Sequence, residues 1–300
     1  MLSGRLSFHL MVVLIMYMYL YPNQVLAGTS IKHRFYMGDN VLVRVVAFSP
    51  DGETLAVACS QEGFPEHACE IRLYSEDKGK LLATLKGHQK AVNGLAFALD
   101  GNVLVSAGSD NKCIIWNTGT GNPTGELNGH TDLVIGLSIS PDGKQVATSS
   151  RDKTIVLWDL GSRKQIASLE AQKEIIGRLV YSPNGKMLAG VGAGTIRIWD
   201  VRTRKELAQW KGHDDYVTSL AFTPDGRHLA TCSNDGYVKL WETKNWLDAG
   251  IWDMGHEEPV YLAFSPDGKL LTVGSSVGDV VFYNISKQAM MVRTGGRSCA

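Results

Sequence analysis

One four-residue turn recurs along the chain, and strand-like runs flank its copies. In the most regular copy, Ser140-Pro141-Asp142-Gly143 separates a run from Leu133 to Ser140 from a second run, Gln145 to Ser149, and a third run follows from Thr154 to Trp158. Proline fixes φ at the second turn position, aspartate can bond its own backbone, and glycine accepts a positive φ. Apolar or β-branched residues alternate along each run, so the segment predicts an antiparallel meander of short strands.

The turn returns at a nearly constant interval. The apolar or aromatic residue that opens it occurs six times, at intervals of 49, 42, 42, 41 and 42 residues. A Gly-His pair near the start of a repeat and a Trp-Asp pair near its end, at a period of about 40 to 45, are typical of one propeller blade. On these motifs, residues 33–294 resemble the WD-repeat β-propeller family. The six turn-opening residues are Phe48, Phe97, Ile139, Tyr181, Phe222 and Phe264.

The resemblance implies an all-β fold, a β-propeller of four-stranded antiparallel blades with six recognisable repeats. Two blade counts are open, six blades or seven with the last incomplete. Residues 31–38 form a strand-like run before the first repeat, whereas Gln288 to Arg293 already supplies an outer strand for the sixth. The propeller is expected over residues 28–300, with repeats at approximately 39–87, 88–129, 130–171, 172–212, 213–255 and 256–296.

Residues 1–27 differ in composition from the rest of the chain. Arg5 precedes an uncharged apolar run from Leu10 to Leu20, and Val25-Leu26-Ala27 follows a short polar stretch. This order favours a secretory signal peptide cleaved after the tripeptide, which would make the protein secreted or periplasmic. At about 1.5 Å per residue, the run covers only about half of the hydrocarbon thickness of a bilayer. An uncleaved signal anchor and a mis-assigned start codon are the alternatives, and they correspond to a membrane-anchored or a cytoplasmic protein.

The charge balance bears on the class of partner. Thirty basic and thirty acidic residues give a formal net charge of zero. A neutral chain lacks the usual electrostatic basis for binding nucleic acid, so no nucleic-acid partner is expected. The membrane is expected to matter only through the N-terminal segment. One basic cluster is interpreted as solubilising charge on exposed turns. It consists of Lys164, Arg202, Arg204 and Lys205.

The cysteines and one sequon bear on the compartment. Cys59 and Cys69 flank the one long insertion of the first repeat, and they could form a disulfide in an exported protein or be two small buried residues. No C-x-x-C pair or His/Cys cluster has the spacing of a zinc site, so neither a metal nor a cofactor is expected. Asn284-Ile285-Ser286 is a glycosylation sequon that matters only in a secreted eukaryotic protein.

The WD-repeat resemblance implies a hydrogen-bonded relay in the second, third and fifth repeats. It would run from a tryptophan N–H through a hydroxyl and an imidazole to an aspartate, and so give buried polar groups their partners. A Ser-His-Asp set could also suggest catalysis, but its repetition on strands of several blades favours a structural role. The expected relays are His88, Ser106, Asp110 and Trp116; His130, Thr148, Asp152 and Trp158; and His213, Thr231, Asp235 and Trp241.

The other three repeats depart from this set, and their blades are expected to be less rigid. The substituted positions are Asp39 and Tyr74 in the first repeat, Gln172 and Gly192-Ala193-Gly194 in the fourth, and Val277 and Tyr283 in the sixth, which retains His256.

The usable surface of a propeller is the rim where loops enter the innermost strands around the central channel. Positions three and five residues past the Gly-His position, and one residue before the turn aspartate, are expected on this rim. Apolar and aromatic residues beside arginines there have the composition of a protein interface. The predicted partner-binding residues are Arg44, Asn93, Leu133, Ile135, Arg151, Ile175, Tyr216, Asn234 and Tyr261, with Ser109 and Glu258 at further rim positions.

No sequence motif of catalysis is present: there is no phosphate-cradling loop, no H-E-x-x-H pair and no nucleophile elbow. The sequence therefore predicts a non-catalytic scaffold that binds a protein or peptide on the channel rim. One alternative is an extracytoplasmic propeller that binds or hydrolyses a small ligand or saccharide, for which Trp246 and Trp252 offer stacking surfaces. Another is a structural module of a larger protein.

Overall fold

A computed structural model describes residues 41–61, 70–77, 79–169, 173–255 and 257–294. Every regular element of these residues is a β-strand, and the 24 strands form six sheets of four. The sheets are arranged as a six-bladed β-propeller, so the all-β class and the propeller are confirmed, and the blade count is six. Within these ranges, no helix long and apolar enough to cross a membrane occurs.

Each blade is formed by four consecutive strands. Blades one and two comprise β1 (Val41–Phe48), β2 (Thr54–Gln61), β3 (Glu70–Ser75), β4 (Leu81–Leu85), β5 (Val92–Phe97), β6 (Val103–Gly108), β7 (Cys113–Asn117) and β8 (Pro123–Leu127). Blades three and four comprise β9 (Val134–Ile139), β10 (Gln145–Ser150), β11 (Ile155–Asp159), β12 (Gln165–Leu169), β13 (Arg178–Tyr181), β14 (Met187–Val191), β15 (Thr195–Asp200) and β16 (Glu206–Lys211). Blades five and six comprise β17 (Val217–Phe222), β18 (His228–Ser233), β19 (Tyr237–Glu242), β20 (Asp248–Asp253), β21 (Pro259–Phe264), β22 (Leu270–Ser275), β23 (Val280–Asn284) and β24 (Ala289–Thr294).

All strand pairs are antiparallel neighbours along the chain, as a meander requires. In blade three, Thr148 lies opposite Leu137 of the innermost strand and Val156 of the third strand. The second and third strands are buried on both faces because each blade is covered by two others. The outermost strand β12 is exposed or half-buried at every position except its last, Leu169. A central strand buried on both faces needs apolar residues at successive positions, which the Ile-Val-Leu-Trp run of β11 supplies.

Facing blades are joined by layers of apolar side chains. Between blades two and three, for example, Ile115 packs in one cluster with Val146 and Trp158, all of which are nearly or fully buried. Burying a large apolar side chain contributes roughly 1.5–3 kcal/mol, so these interfaces are the main source of stability. Comparable clusters join blades one and two, three and four, four and five, and five and six.

The recurring turn lies on the lower face of the propeller, which we define as the face that carries Ser140-Pro141-Asp142-Gly143 and its equivalents. Asp142 accepts a hydrogen bond from the Ser140 hydroxyl at 2.6 Å, and Gly143 has a φ of 71°. Pro141 lies against Gly185 of the next blade, where a Cβ would be 3.6 Å from the proline ring. Pro183 lies against Gly226 in the same way. The turn residues therefore also set the spacing between blades.

Among the described residues, the sheet of blade six consists of β21 to β24, and β24 is its outermost strand. A hydrogen bond from the Tyr261 hydroxyl to the Arg44 carbonyl oxygen, 3.2 Å long, joins blade six to blade one. Val43, Leu55 and Tyr74 form an apolar cluster on one face of blade one that includes no residue of blade six within the described ranges. The two divergent blades thus meet with less shared apolar packing than the other pairs.

Several predictions concern residues outside the described ranges. They are the signal segment 1–27, the strand-like run 31–38, Asp39, Cys69, Gln172, His256 and everything after residue 294. Cys59 is buried, with its sulfur 3.5 Å from the Glu70 carbonyl oxygen. The disulfide to Cys69 stays a prediction.

Candidate interaction site at the central channel

The four side chains of each expected relay lie within hydrogen-bonding distance. In blade three, the Trp158 indole N–H donates to the Thr148 hydroxyl at 2.8 Å, the His130 Nε2 lies 2.8 Å from that hydroxyl, and its Nδ1 lies 2.8 Å from Asp152. A carboxylate only accepts, so Nδ1 carries the imidazole proton and Nε2 accepts from the hydroxyl. Thr148 is fully buried. The hydroxyl therefore serves as acceptor and donor at once.

Blades two and five contain the same arrangement. Ser106 accepts from Trp116 at 2.8 Å and lies 2.7 Å from His88, whose Nδ1 is 3.0 Å from Asp110. In blade five, the corresponding distances are 2.9 Å from Trp241 to Thr231, 2.8 Å from His213 to Thr231 and 2.9 Å from His213 to Asp235. Each relay ties the loop before the innermost strand to the second strand, the third strand and the turn between them.

The relays keep their aspartates ionised. Burial raises the pKa of Asp152, but hydrogen bonds from Thr154, His130 and two backbone N–H groups outweigh burial and lower this pKa to about 2. The pKa of Asp110 and that of Asp235 are also lowered, because hydrogen bonds to their imidazole and backbone partners outweigh burial. Burial lowers the pKa of His213 despite the nearby Asp235, which favours the neutral imidazole. The structural role of the relays stays a prediction.

Blade four replaces the relay with direct backbone contacts. Gly190 occupies the position of the relay hydroxyl, and the Trp199 ring packs where its Cβ would be. Gly194 has a φ of 77°, and its carbonyl oxygen accepts from the N–H groups of Gly212 and His213 of the next blade at 3.0 and 3.1 Å. A side chain at residue 194 would collide with the His213 carbonyl oxygen. Glycine is therefore required for this close approach of two blades.

The innermost strands share a β-bulge near the rim. In five blades, the pairing register with the second strand skips one residue at the same place, and Gly177 occupies the equivalent position in blade four. A bulge re-aims the side chain of the extra residue, here towards the channel. The bulge residues are Arg44, Asn93, Ile135, Thr218 and Val260.

A cavity of about 540 Å³ opens at the rim end of the channel, and all six blades contribute to its wall. We call it the channel cavity. It lies among four apolar side chains, two tyrosines, two arginines, two small polar residues and a glycine. Its lining residues are Val43, Arg44, Asn93, Leu133, Ile135, Gly177, Arg178, Tyr216, Thr218, Val260 and Tyr261.

The polar groups of two lining residues form hydrogen bonds to the neighbouring blade. The Asn93 amide donates to the Val134 carbonyl oxygen at 2.8 Å, which ties blade two to blade three. The Thr218 hydroxyl donates to the Pro259 carbonyl oxygen at 2.7 Å, which ties blade five to blade six. These bonds fix the wall of the cavity before any partner arrives.

Arg178 extends across the channel towards blade six. Its Nη2 donates to the Tyr261 hydroxyl at 3.1 Å, and its guanidinium carbon is 5.3 Å from the centre of the Tyr261 ring. Tyr261 in turn donates to the Arg44 carbonyl oxygen. Tyr216 of blade five is 37% exposed, and its hydroxyl stands over Gly177, where any side chain would overlap it. Burial raises the pKa of Tyr216, and Arg178 opposes that shift.

The structure separates the predicted rim residues into two groups. Arg151 and Asn234 are exposed on the loops that precede the third strands, and their backbone N–H groups donate to the carbonyl oxygens of Leu133 and Tyr216, each at 3.0 Å. Ile175 is half-buried and does not line the cavity. The remaining six predicted residues do line it. They are Arg44, Asn93, Leu133, Ile135, Tyr216 and Tyr261.

Counting from Gly-His missed Arg178. Counted from Gln172, which replaces the histidine, the third and fifth residues are Ile175 and Gly177, and Arg178 is the next residue. The residue after the bulge is Gly94 in blade two and Gly136 in blade three, as their registers show. An arginine at this position in blade four is the signal that could have revealed it.

The two tryptophans offered as sugar-stacking surfaces are not both available. Trp252 is 6% exposed and packs between blades five and six, 5.2 Å from the ring of Tyr283. Trp246 is half-buried, with its ring centre 5.5 Å from that of Trp210. Trp252 therefore cannot stack on a sugar, and the saccharide alternative retains only Trp246 of the two predicted tryptophans.

Sheet topology, repeat period and relays together define a propeller built from repeats of one blade each. Five segments of the chain match the family model described as WD domain, G-beta repeat, and together they cover more than half of the chain. The protein therefore belongs to the WD-repeat family. A matched segment such as residues 121–159 runs from the outermost strand of one blade to the third strand of the next. The matched segments are residues 79–117, 121–159, 163–200, 204–242 and 251–279.

Curated relatives match over shorter segments. A segment of 82 residues is 34% identical to Transducin beta-like protein 3 of Bos taurus, over 27% of this chain and 10% of that protein. A segment of 92 residues is 37% identical to the Chromatin assembly factor 1 subunit FAS2 homolog of Oryza sativa subsp. japonica, over 30% of this chain and 17% of that protein. Protein TOPLESS of Arabidopsis thaliana is 44% identical over 48 residues, which is 16% of this chain and 4% of that protein. The chain thus matches these relatives over less than a fifth of their length.

Proposed function

We propose that this protein is a non-catalytic interaction scaffold that binds a protein or peptide partner at the channel cavity and its rim. The observation that carries the proposal is the convergence of six blades on one cavity of about 540 Å³ lined by apolar, aromatic and arginine side chains. Tyrosine and arginine are enriched among the residues that dominate binding energy at protein interfaces.

The cavity wall is preformed, which favours binding by reducing the entropy lost on association. Its lining is held by the inter-blade bonds of Asn93 and Thr218 and by the bond from Arg178 to Tyr261. The name of the rice relative makes that protein a subunit of an assembly, which is in keeping with a scaffold role for this chain.

The contacts are divided between two kinds of side chain. Leu133, Ile135 and Tyr216 supply the apolar area, while Arg44 and Arg178 supply charge. Asn93 and Tyr261 act mainly by supporting the wall, since their polar groups are bonded to neighbouring blades. Arg151 and Asn234 extend the contact surface outward along the rim.

Affinity capture with the full chain tests the proposal. The rim variant carries Leu133→Glu with Tyr216→Ala, and a control variant carries the same substitutions at exposed positions outside the cavity lining, Leu207→Glu with Tyr237→Ala. Leu207 is 54% exposed and Tyr237 is 37% exposed. A partner should be retained by the natural protein and by the control, and lost from the rim variant.

The retention of a partner by the two variants can be compared only if both have the same melting temperature. Retention of the same proteins by the rim variant would show that the channel cavity is not the binding site.

A further inference from the structure

The channel cavity carries uncompensated positive charge. Arg44 and Arg178 both line it, and no acidic residue is among its described lining residues. Within the described part of the chain, neither guanidinium forms an ion pair, and Arg178 donates to the neutral Tyr261 hydroxyl. A partly desolvated charge without an opposite charge is costly, so a ligand that supplies one gains binding energy from pairing with it.

Arg178 is held in a fixed position for such a ligand. One N–H of its guanidinium donates to Tyr261, and the cation lies over the ring of the same tyrosine. A guanidinium has five N–H donors in a planar fork, so the bond to Tyr261 leaves donors on that fork to bind a carboxylate or a phosphate. Because the side chain is already ordered, less entropy is lost when it binds.

The surroundings of the two arginines strengthen their effect. Leu133, Ile135 and Val43 form apolar parts of the same wall, and charge interactions are stronger beside low-dielectric surfaces than in open water. Burial raises the pKa of Tyr216 and the charge of Arg178 opposes that rise, so this charge reaches the blade-five side of the cavity.

The size of the cavity limits what can enter. A volume of about 540 Å³ is within the range of ligand pockets and is too small for a folded domain. An anionic group must therefore arrive on a narrow carrier, such as a side chain of an exposed peptide segment.

We propose that the channel cavity recognises an acidic side chain, carboxylate or phosphate, presented by an exposed peptide segment of the partner protein. Arg178 and Arg44 bind the anionic group, while Leu133, Ile135 and Tyr216 contact the flanking residues. This inference rests on the proposed scaffold function and specifies the chemistry of its partner.

Selection from a displayed random-peptide library tests it, with the full chain as bait. The test variant is Arg44→Gln with Arg178→Gln. A matched control, Arg202→Gln with Lys205→Gln, removes the same charge from an exposed turn of the lower face. The natural protein and the control should select peptides that share an aspartate or glutamate, and the test variant should select peptides without that enrichment.

Synthetic versions of one selected peptide then separate the two sources of negative charge. They carry glutamate, phosphoserine or glutamine at the shared position. We expect the change from glutamate to glutamine to weaken binding to the natural protein about 10- to 100-fold and to leave binding to the test variant unchanged. Arg178→Lys, which keeps the charge but not the fork, should retain part of the affinity. Tighter binding of the phosphoserine peptide than of the glutamate peptide would identify phosphate as the preferred group.

The possible failures are distinguishable. Selected peptides that lack acidic enrichment, but still lose binding in the variant Leu133→Glu with Tyr216→Ala, would overturn the acidic preference and leave the scaffold function standing. A library that yields no peptide dependent on the channel cavity would overturn both proposals. Thermal unfolding of each variant shows whether a loss of binding reflects a loss of fold.

Discussion

The relay of blade three gives a direct test of how much one buried hydroxyl stabilises a blade. Thr148→Val keeps the side-chain shape and removes the hydroxyl, which is the acceptor for Trp158 and the donor for His130, both at 2.8 Å. Thr148 is fully buried, so no water is positioned to replace the lost group. Leaving a buried polar group without its partner costs about 1–3 kcal/mol. With two groups affected, we expect a loss of roughly 2–4 kcal/mol in the free energy of unfolding.

Thr148→Ser is the matched control. It keeps the hydroxyl and removes one methyl group, which costs about 1 kcal/mol, and blade two has serine at this position as Ser106. Urea denaturation measures the free energy of unfolding, and thermal unfolding should show a melting temperature lower by roughly 5–12 °C for the valine variant. Amide hydrogen exchange should locate the loss in blade three, because repeat proteins open locally.

A double-mutant cycle separates the relay from simple packing. Trp158→Phe removes the indole N–H that Thr148 accepts, so its cost and that of Thr148→Val should be less than additive when combined. The reasoning would be refuted if Thr148→Val were no more destabilising than Thr148→Ser, or if the costs of the two substitutions simply added.

Three further perturbations follow from the geometry. In the folded protein the pKa of Asp152 is about 2 instead of the ordinary 3.8, so the unfolded chain binds the proton first as pH falls. The stability that this group contributes is complete above about pH 5 and declines between about pH 4 and 2. Asp152→Asn should therefore make the unfolding measured by circular dichroism less dependent on pH in that range. Arg293→Gln should cost about 1–3 kcal/mol in urea denaturation, because Arg293 donates to the buried Asp279 at 2.8 Å, whereas an unchanged midpoint would show that the pair contributes nothing. Gly177→Ala should displace Tyr216, because an added Cβ would overlap its hydroxyl. It should weaken partner or peptide binding at least several-fold in a titration and change the melting temperature little. Unaltered affinity would show that the position of Tyr216 does not matter for binding.

The fold could be predicted from the sequence because every blade contains similar turn residues at similar positions. Glycine ends the recurring turn in all six repeats, five of the turns contain proline, and five contain aspartate. The nearly constant interval between the copies indicates that each turn belongs to an equivalent unit. The turn residues also contact the turn of the next blade, as Pro141 does with Gly185. This contact cannot be recognised from the sequence of one repeat alone.

The count from the Gly-His position predicted part of the candidate site. Leu133 and Tyr216 follow a Gly-His pair by three residues, and both line the channel cavity. Arg178 was missed because the count takes the third and fifth residues past the Gly-His position, and Arg178 is the sixth residue past Gln172, directly after Gly177. Asn93 shows a further limit of the sequence. Its position was predicted, but the hydrogen bond that its amide donates to the Val134 carbonyl oxygen was not.

The channel cavity and the junction between blades six and one depend on the same residues. In the described part of the chain, blade six is formed by its own four strands, and contacts between side chains and backbone join it to blade one. Tyr261 donates to the backbone of blade one and receives a hydrogen bond from Arg178 of blade four, which makes it a link across the channel. A ligand that bound both Arg44 and Arg178 would contact blade one directly and blade six through Tyr261. We expect such a ligand to raise the melting temperature of the propeller, because a ligand that binds only the folded ring stabilises it by mass action.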